Sequence, residues 1–344
     1  MNSKVLVIGK IFENPLDQVV LSILGESSYE FYEEGVSCKD RKVLVIAELN
    51  DLGYDIDLLN WLTTHHNKSF FEGSIGGVIV CSSSDYYTKS MAQDLILHMN
   101  RMGLGFVGHS VLEIVKNYKN FETWQKTMNC SLEEIAIGHG RQLVERIINH
   151  QFKPLNSILA LHSSSYKTSN TLGLWHLVKS HLESCEVNEI HIENGTVVDC
   201  KGCPYQTCMH FGKHHSCFYG GVMVEEVLPA IEAADIIVWV CPNYNDSVSA
   251  NMLAVINRLT VLYRQISFHD KVCFTVVVSG NSGSDSVTKQ LIGALNINKG
   301  FQLPPYFSIM ATANDPLKVL ELPHIEDKAK VMARNIYKFC QNVK

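Results

Sequence analysis

Short runs of Val, Ile and Leu alternate along the chain with segments whose apolar residues recur at helical spacing, the pattern of parallel βαβ construction. The runs predict strands at 4–9, 42–47 and 77–81 in the first half. In the second half they predict strands at 157–161, 189–193, 236–241, 272–279 and 306–310. Most of these runs lack an alternating polar face, as strands covered by helices on both sides should. Ser131 with Glu134 three residues on is a capping-box arrangement, and it opens a helix predicted to reach about Asn149. Residues 326–340 repeat the amphipathic pattern and read as a closing helix. Each half thus begins with a strand and ends with an amphipathic helix. Gln151-Phe152-Lys153-Pro154 reads as the linker, which gives domains at 1–150 and 155–344.

One internal parallel supports a duplication. The run Val78-Ile79-Val80-Cys81-Ser82-Ser83-Ser84-Asp85-Tyr86, followed by a helical segment with Asn100-Arg101, resembles Val238-Trp239-Val240-Cys241-Pro242-Asn243-Tyr244-Asn245-Asp246, followed by Asn257-Arg258. A tandem pair of related α/β units is expected. The halves differ in chemistry. After its first strand the N-terminal unit carries Lys10-Ile11-Phe12-Glu13-Asn14-Pro15, an acid and a proline where the second unit has hydroxyls, and it shows no clear fifth strand. It reads as a degenerate copy, a dimerisation surface or a substrate cover.

With 344 residues, 46% hydrophobic and 19% charged, the chain can bury two sizeable cores. No apolar stretch reaches the length of a membrane span, and the N-terminus reads as a first strand, so a cytoplasmic protein without membrane contact is expected. A net charge of −6 argues against a nucleic-acid partner, which calls for a basic face. Eleven cysteines is an odd count that fits reduced thiols or metal ligands better than a disulfide framework.

In an open parallel sheet, ligands sit beyond the C-terminal ends of the strands where strand order reverses. Three polar loops of the second half should meet there: 162–171, 242–249 and 279–286. The first, His-Ser-Ser-Ser-Tyr-Lys-Thr-Ser-Asn-Thr, lies between a strand and a helix. It offers hydroxyls and the free N–H groups of a helix N-terminus to an anion, although Ser, Thr and Asn there also suit an ordinary helix cap. The second, Pro242-Asn243-Tyr244-Asn245-Asp246-Ser247, suits a flat heteroaromatic ring or a plain turn. Gly103-Leu104-Gly105-Phe106-Val107-Gly108 spells a dinucleotide fingerprint, yet it follows a helical pattern where the fingerprint needs a strand. Cys200, Cys203, Cys208 and Cys217 supply four thiolates, enough for an iron-sulfur cluster or a tetrahedral zinc, with a metal-free loop as the alternative. His210, His214 and His215 share that loop.

In combination these motifs resemble the NAD(P)H-dependent FMN reductases and iron-sulfur flavoproteins of the flavodoxin-like fold. The resemblance rests on Ser163 through Ser169-Asn170-Thr171, on Cys200-Lys201-Gly202-Cys203, and on Ala234-Asp235 ahead of Pro242-Asn243-Tyr244. It implies a flavodoxin-like, doubly wound parallel sheet in the second half, with FMN as cofactor and NAD(P)H as co-substrate. By the same resemblance Ser163, Ser165, Ser169, Asn170 and Thr171 hold the FMN phosphate. Pro242, Asn243, Tyr244, Asn245 and Ser247 then line one edge of the isoalloxazine, and Ser279, Gly280 and Asn281 the other. The family's phosphate loop often opens Gly-Ser-Pro-Arg, whereas His162-Ser163-Ser164-Ser165 has no arginine, so phosphate neutralisation is weaker or comes from Lys167. The family's compact cluster motif is Cys-x2-Cys-x2-Cys, and the gap between Cys203 and Cys208 departs from it. No catalytic acid or base is implied. The activity expected is transfer of reducing equivalents from NAD(P)H through FMN to a small-molecule or protein acceptor, in a homodimer. The alternatives are an electron carrier with a cysteine-bound iron-sulfur cluster and a non-catalytic flavodoxin-like scaffold.

Overall fold

The structure, a computed structural model, describes residues 4–9, 15–25, 27–151, 155, 157–164, 166–182 and 185–340. The chain divides into two compact units, Met1–Gln151 and Phe152–Lys344.

In the first unit β1 (Val5–Ile8), β2 (Tyr29–Phe31), β3 (Lys42–Leu49), β4 (Ile75–Ser82) and β5 (Gly105–Val115) form one sheet in the order β2-β1-β3-β4-β5. Every pairing is parallel. All of β1 and β4 is buried, which is why β1 is wholly apolar and β4 carries no charged residue and only one hydroxyl, the terminal Ser82. Val19, Val20 and Ile23 of the helix Pro15–Leu24 and Leu143, Val144 and Ile147 of the helix Leu132–Asn149 share one core with these strands. The second of these helices starts at the expected capping box. The Ser131 hydroxyl accepts from Glu134 N at 3.2 Å, and the Glu134 carboxylate accepts from Ser131 N at 2.7 Å.

In the second unit the strands are β6 (Ile158–His162), β7 (Val187–His191), β8 (Ile236–Tyr244) with its short antiparallel partner β9 (Ser247–Val248), β10 (Val272–Ser279) and β11 (Ser308–Thr312). The parallel sheet runs β11-β10-β8-β6-β7. Counted from the first strand of each unit, both sheets therefore read second, first, third, fourth, fifth, the flavodoxin order. Chain direction explains the site: from β6 the chain moves outward to β7, then crosses back to β8 on the other side of β6. Loops after β6 and β8 consequently diverge and leave a crevice between them. Leu174, Trp175 and Val178 of the helix Asn170–Lys179 and Ala329, Met332 and Ile336 of the helix Ile325–Cys340 pack against Ala160, Val238, Val240 and Val276. Each fully buried Val, Leu or Ile contributes about 1.5–3 kcal/mol relative to exposure.

Two expectations need correction. The first unit does have a fifth strand, β5, and an edge strand, β2, that the apolar pattern did not mark. β2 is three residues long, and β5 is interrupted by Gly, His, Ser and Glu. The internal parallel also joins places that are not equivalent. Val78–Cys81 lies in β4, the fourth strand of its unit, whereas Val238–Cys241 lies in β8, the third of its own. Buried strands followed by polar loops look alike whatever their place in a sheet. The tandem arrangement stands on the shared strand order instead. Gly103-Leu104-Gly105 follows the helix Thr88–Arg101 and leads into β5, the reverse of a dinucleotide fingerprint. Residues 10–14 and 152–154, cited above for the first loop and the linker, lie outside the described residues. Among the described residues no helix is long and apolar enough to cross a membrane.

Candidate functional site

The loops after β6, β8, β10 and β11 border one cleft of about 320 Å³. From the first loop come Ser164, Tyr166, Thr168, Ser169, Asn170 and Thr171; from the second, Pro242, Asn243 and Tyr244. Val278 and Gly280 close it from β10, and Ala313, Asn314 and Pro316 from the segment after β11. Ser169 caps the helix Asn170–Lys179: its hydroxyl accepts from Leu172 N at 3.3 Å and donates to Ser164 Oγ at 3.0 Å. The N–H groups of Asn170 and Thr171 belong to the first helical turn, whose donors have no acceptor within the helix. A helix N-terminus and the Ser164, Thr168, Ser169 and Thr171 side chains thus share one wall, the Tyr244 ring stands on the opposite rim, and Gly280 leaves room between them. A Cβ on Gly280 would come within 3.0 Å of Asn314 Oδ1.

Several residues expected at the ligand instead hold the loops in place. The Asn170 amide donates to Ala313 O at 3.0 Å and Asp315 O at 2.8 Å, and its oxygen accepts from Val319 N at 3.0 Å. Asn170 therefore presents its backbone, with its side chain committed to the β11 loop. Asn243 ties the second loop to the third, donating to Ser279 Oγ at 2.9 Å, Asp246 Oδ1 at 3.1 Å and Ser282 O at 3.0 Å. Ser279 is fully buried beneath the cleft and shares a 2.7 Å hydrogen bond with Ser284. Ser163 is buried too, sharing a 2.8 Å bond with Ser249. Asn245 and Asp246, both at positive φ (54° and 56°), form the two-residue turn between β8 and β9, a conformation Asn and Asp tolerate. Gln290 holds that turn, donating to Asp246 O at 2.9 Å and accepting from Val248 N at 3.1 Å and from the Ser247 hydroxyl at 3.3 Å. Asn281 is exposed and does not line the cleft, and Ser165 lies outside the described residues. Sequence reasoning missed Ser164, Thr168 and the whole β11 loop. The Asn314-Asp315-Pro316 turn directly after a strand was the signal available for the last.

No Lys, Arg or His is among the described residues lining the cleft. Lys167 is exposed and is not one of them. Behind the first loop lies a charged cluster. Glu189 of β7 accepts from Trp175 Nε1 at 2.9 Å, Lys179 Nζ at 3.1 Å and His176 Nε2 at 3.3 Å. Burial opposes ionisation of this carboxyl, but the hydrogen bonds from Trp175, Lys179 and His176 outweigh it and hold its pKa at about 2. His162, at the end of β6, stacks on His191 with ring centroids 4.8 Å apart. Burial pushes the His162 imidazole below its ordinary range, against the pull of Glu189.

Cys200, Cys203, Cys208 and Cys217 border a separate cavity of about 180 Å³. All four are free thiols. Among the described residues no group of three or more His, Cys, Asp or Glu is arranged to hold a metal ion. The four thiols thus face one cavity without forming a ligand set for a cluster or a zinc among the described residues. His210 contacts Phe211 and His214 edge-on, and His215 Nδ1 lies 2.7 Å from Glu232.

Residues 156–315 match the family model of NADPH-dependent FMN reductases, so the second unit carries the resemblance read from its motifs. No curated protein sequence matches the chain. Among solved structures the chain is similar to rubredoxin oxygen:oxidoreductase from Desulfovibrio gigas, at 19% identity and a TM-score of 0.37, covering 61% of this chain and 41% of that one. It is likewise similar to a WrbA-like flavodoxin from Agrobacterium tumefaciens, at 16% identity and a TM-score of 0.37, covering 54% and 99%. An NADH:FMN oxidoreductase in its apo form matches at 16% identity and a TM-score of 0.37, covering 55% and 90%.

Proposed function

We propose that the second unit binds FMN in the cleft at its strand ends and acts as an oxidoreductase, taking reducing equivalents from NAD(P)H and delivering them to a small-molecule or protein acceptor. The observation that carries this reading is the meeting, in one cleft at the switch point, of a capped helix N-terminus with the Pro242–Tyr244 rim and the Gly280 floor. The donor set fits the cofactor. The N–H groups of Asn170 and Thr171 and the hydroxyls of Ser164, Thr168 and Ser169 suit a phosphate, and the helix dipole adds about 0.3–1 kcal/mol toward an anion. Tyr244, with about half its surface exposed (55%), offers a ring face to a flat heterocycle.

FMN supplies the hydride chemistry when bound. The chain's own part is to bind, orient and shield. Asn170 fixes the helix start against the β11 loop, so the phosphate donors are held before any ligand arrives. Asn243 and Gln290 fix the β8–β9 turn, which sets where Tyr244 stands. Pro242, Val278 and Ala313 exclude water from the floor. Among the described residues lining the cleft there is no Asp, Glu, His, Lys or Cys to act as a general acid or base, so protons consumed by the acceptor come from solvent or from the Tyr166 and Tyr244 hydroxyls. The four-cysteine loop has no ligand arrangement among the described residues, and no step of the proposed reaction passes through it.

The test is spectroscopic. Purified protein, or protein incubated with FMN and desalted, is expected to show flavin absorbance that bleaches on anaerobic addition of NADH or NADPH. Colourless protein that takes up no FMN would overturn the reading. Stable flavin that neither nicotinamide reduces would leave a flavin carrier in place of a reductase.

A further inference from the structure

The cavity beneath the cysteine loop contains two guanidinium groups that the flavin reading does not use. Arg258, at the end of the helix Ala250–Arg258, is only 3% exposed. Its Nη1 donates to Val198 O at 3.3 Å and its Nη2 to Gly220 O at 3.1 Å, so it clamps both ends of the loop that carries the cysteines. Its Nε is buried with no hydrogen-bond partner. Arg264 stacks on Tyr205 at 4.9 Å, and its Nη1 is also buried without a partner. Both residues line the cavity. Lys299 stands close behind, donating to Thr260 Oγ1 at 3.1 Å. Burial and the Arg264 charge push the Lys299 ammonium below its ordinary range.

Among the described residues no carboxylate pairs with Arg258, Arg264 or Lys299, and none lines the cavity. A buried cation without a counter-charge is costly, and an unsatisfied guanidinium N–H adds to that cost. The rest of the lining is mixed: Phe211, Phe218 and Val261 are apolar, the four thiols are soft, and Lys201, Thr207, Tyr219, Asn257 and Thr260 add polar groups. Phe211 and Phe218 meet edge-on at 5.5 Å, forming one wall.

We propose that this cavity is a second ligand site, distinct from the flavin cleft, for an organic oxyanion. Its carboxylate or phosphate head would meet the Arg258 and Arg264 side chains that line the cavity, and its apolar or aromatic body would lie against Phe211, Phe218 and Val261. Arginine suits this role because its planar fork matches an oxyanion. The site needs no covalent step.

The cavity's own thiols report on it. Full-length protein is treated with dithiobis(nitrobenzoate), an anionic aryl disulfide, or with dithiodipyridine, a neutral one. Each exchange forms a protein–aryl disulfide and releases one aryl thiolate. Labelling at each cysteine is followed by peptide mass spectrometry, and the anionic-to-neutral rate ratio cancels differences in thiolate fraction. The ratio at Cys200, Cys203, Cys208 and Cys217 is expected to be several-fold above that at the half-buried Cys130 and Cys185. Benzoate should lower it toward the control value, as should inorganic phosphate at higher concentration. Arg264→Gln should reduce it about fivefold, and Arg264→Lys should retain most of it. Arg258 is left intact because its loss would free the loop ends. A ratio equal to the controls, or one unchanged in Arg264→Gln, overturns the proposal. Silence of the loop thiols toward both reagents also overturns it, because an open cavity would then be absent. One equivalent of FMN, which is larger than a cavity of about 180 Å³, should leave the ratio unchanged, so failure of the flavin reading and failure of this one are told apart.

Discussion

Asn170 offers a direct test of whether the cleft is preorganised. If its amide served the ligand, removing it would weaken flavin binding and spare the apoprotein. The structure instead commits the side chain to three backbone partners on the β11 loop, Ala313 O, Asp315 O and Val319 N. Asn170→Ala leaves all three without that partner. A net hydrogen bond contributes about 0.5–1.5 kcal/mol. Asp315 is exposed and can recover water, so a loss of about 2 kcal/mol is expected. With a urea slope of about 2 kcal/mol/M, the midpoint should fall by about 1 M. Asn170→Asp sharpens the test. It keeps the acceptor for Val319 N and gains about 0.3–1 kcal/mol from the helix dipole, yet it sets a carboxylate against two carbonyls. It should be no more stable than the alanine variant at neutral pH. The assay is urea unfolding without flavin, with hydrogen exchange of peptides from 170–179 to locate the change. An unaltered apoprotein midpoint in Asn170→Ala, with only flavin affinity reduced, would refute the tie and restore the side chain as a ligand group.

Other outcomes follow from the same geometry. Thr171→Leu, at a buried position lining the cleft, should abolish FMN uptake, whereas Asp85→Leu in the first unit should leave it intact; equal loss in a flavin titration would move the site. Gly283→Ala should cost about 2 kcal/mol or more, because φ is 86° and the new Cβ would lie 2.1 Å from Asp246 Oδ1, with the loss read as a lower thermal midpoint and weaker flavin retention. Glu189, with a folded pKa of about 2 against an ordinary value of 4.5, contributes stability above the ordinary value that is lost as pH falls toward 2. The full contribution is about 3 kcal/mol, so Glu189→Gln should be less stable at neutral pH and flatter in that acid window. The lowered His162 acts in the same direction from pH 6.5 downward, since the unfolded chain binds its proton first; His162→Gln should flatten the unfolding profile there.

The central strands were legible because strands covered on both faces must be apolar throughout, and 272–279 was placed to the residue. Edge strands were not, since β2 is half exposed and β5 carries polar residues at its partly exposed positions. At the site, the three polar loops of the second unit were legible as neighbours because strand ends converge in this topology. Which side chains face the cleft was not. Asn170, Asn243, Ser163 and Ser279 have the chemistry of ligand groups, and only their tertiary partners show them turned inward as ties. A sequence names a donor without naming its acceptor. Arg258 illustrates the same point, since its carbonyl partners lie 38 and 60 residues away along the chain.

That no cation is among the described residues lining the cleft has a physical consequence for how FMN would be retained there. Neutral donors and a helix N-terminus act through short, directional bonds within the site, and such partial charges fall off faster than a full charge does. Ionic strength should therefore matter little to flavin retention, whereas an arginine-clamped phosphate would loosen as counterions screen it. Selection among anions would rest on shape: a phosphate monoester fills the space between the Ser164–Thr171 loop and the Tyr244 rim with its attached ring system, and a bare ion of equal charge gains nothing from the second half of the cleft.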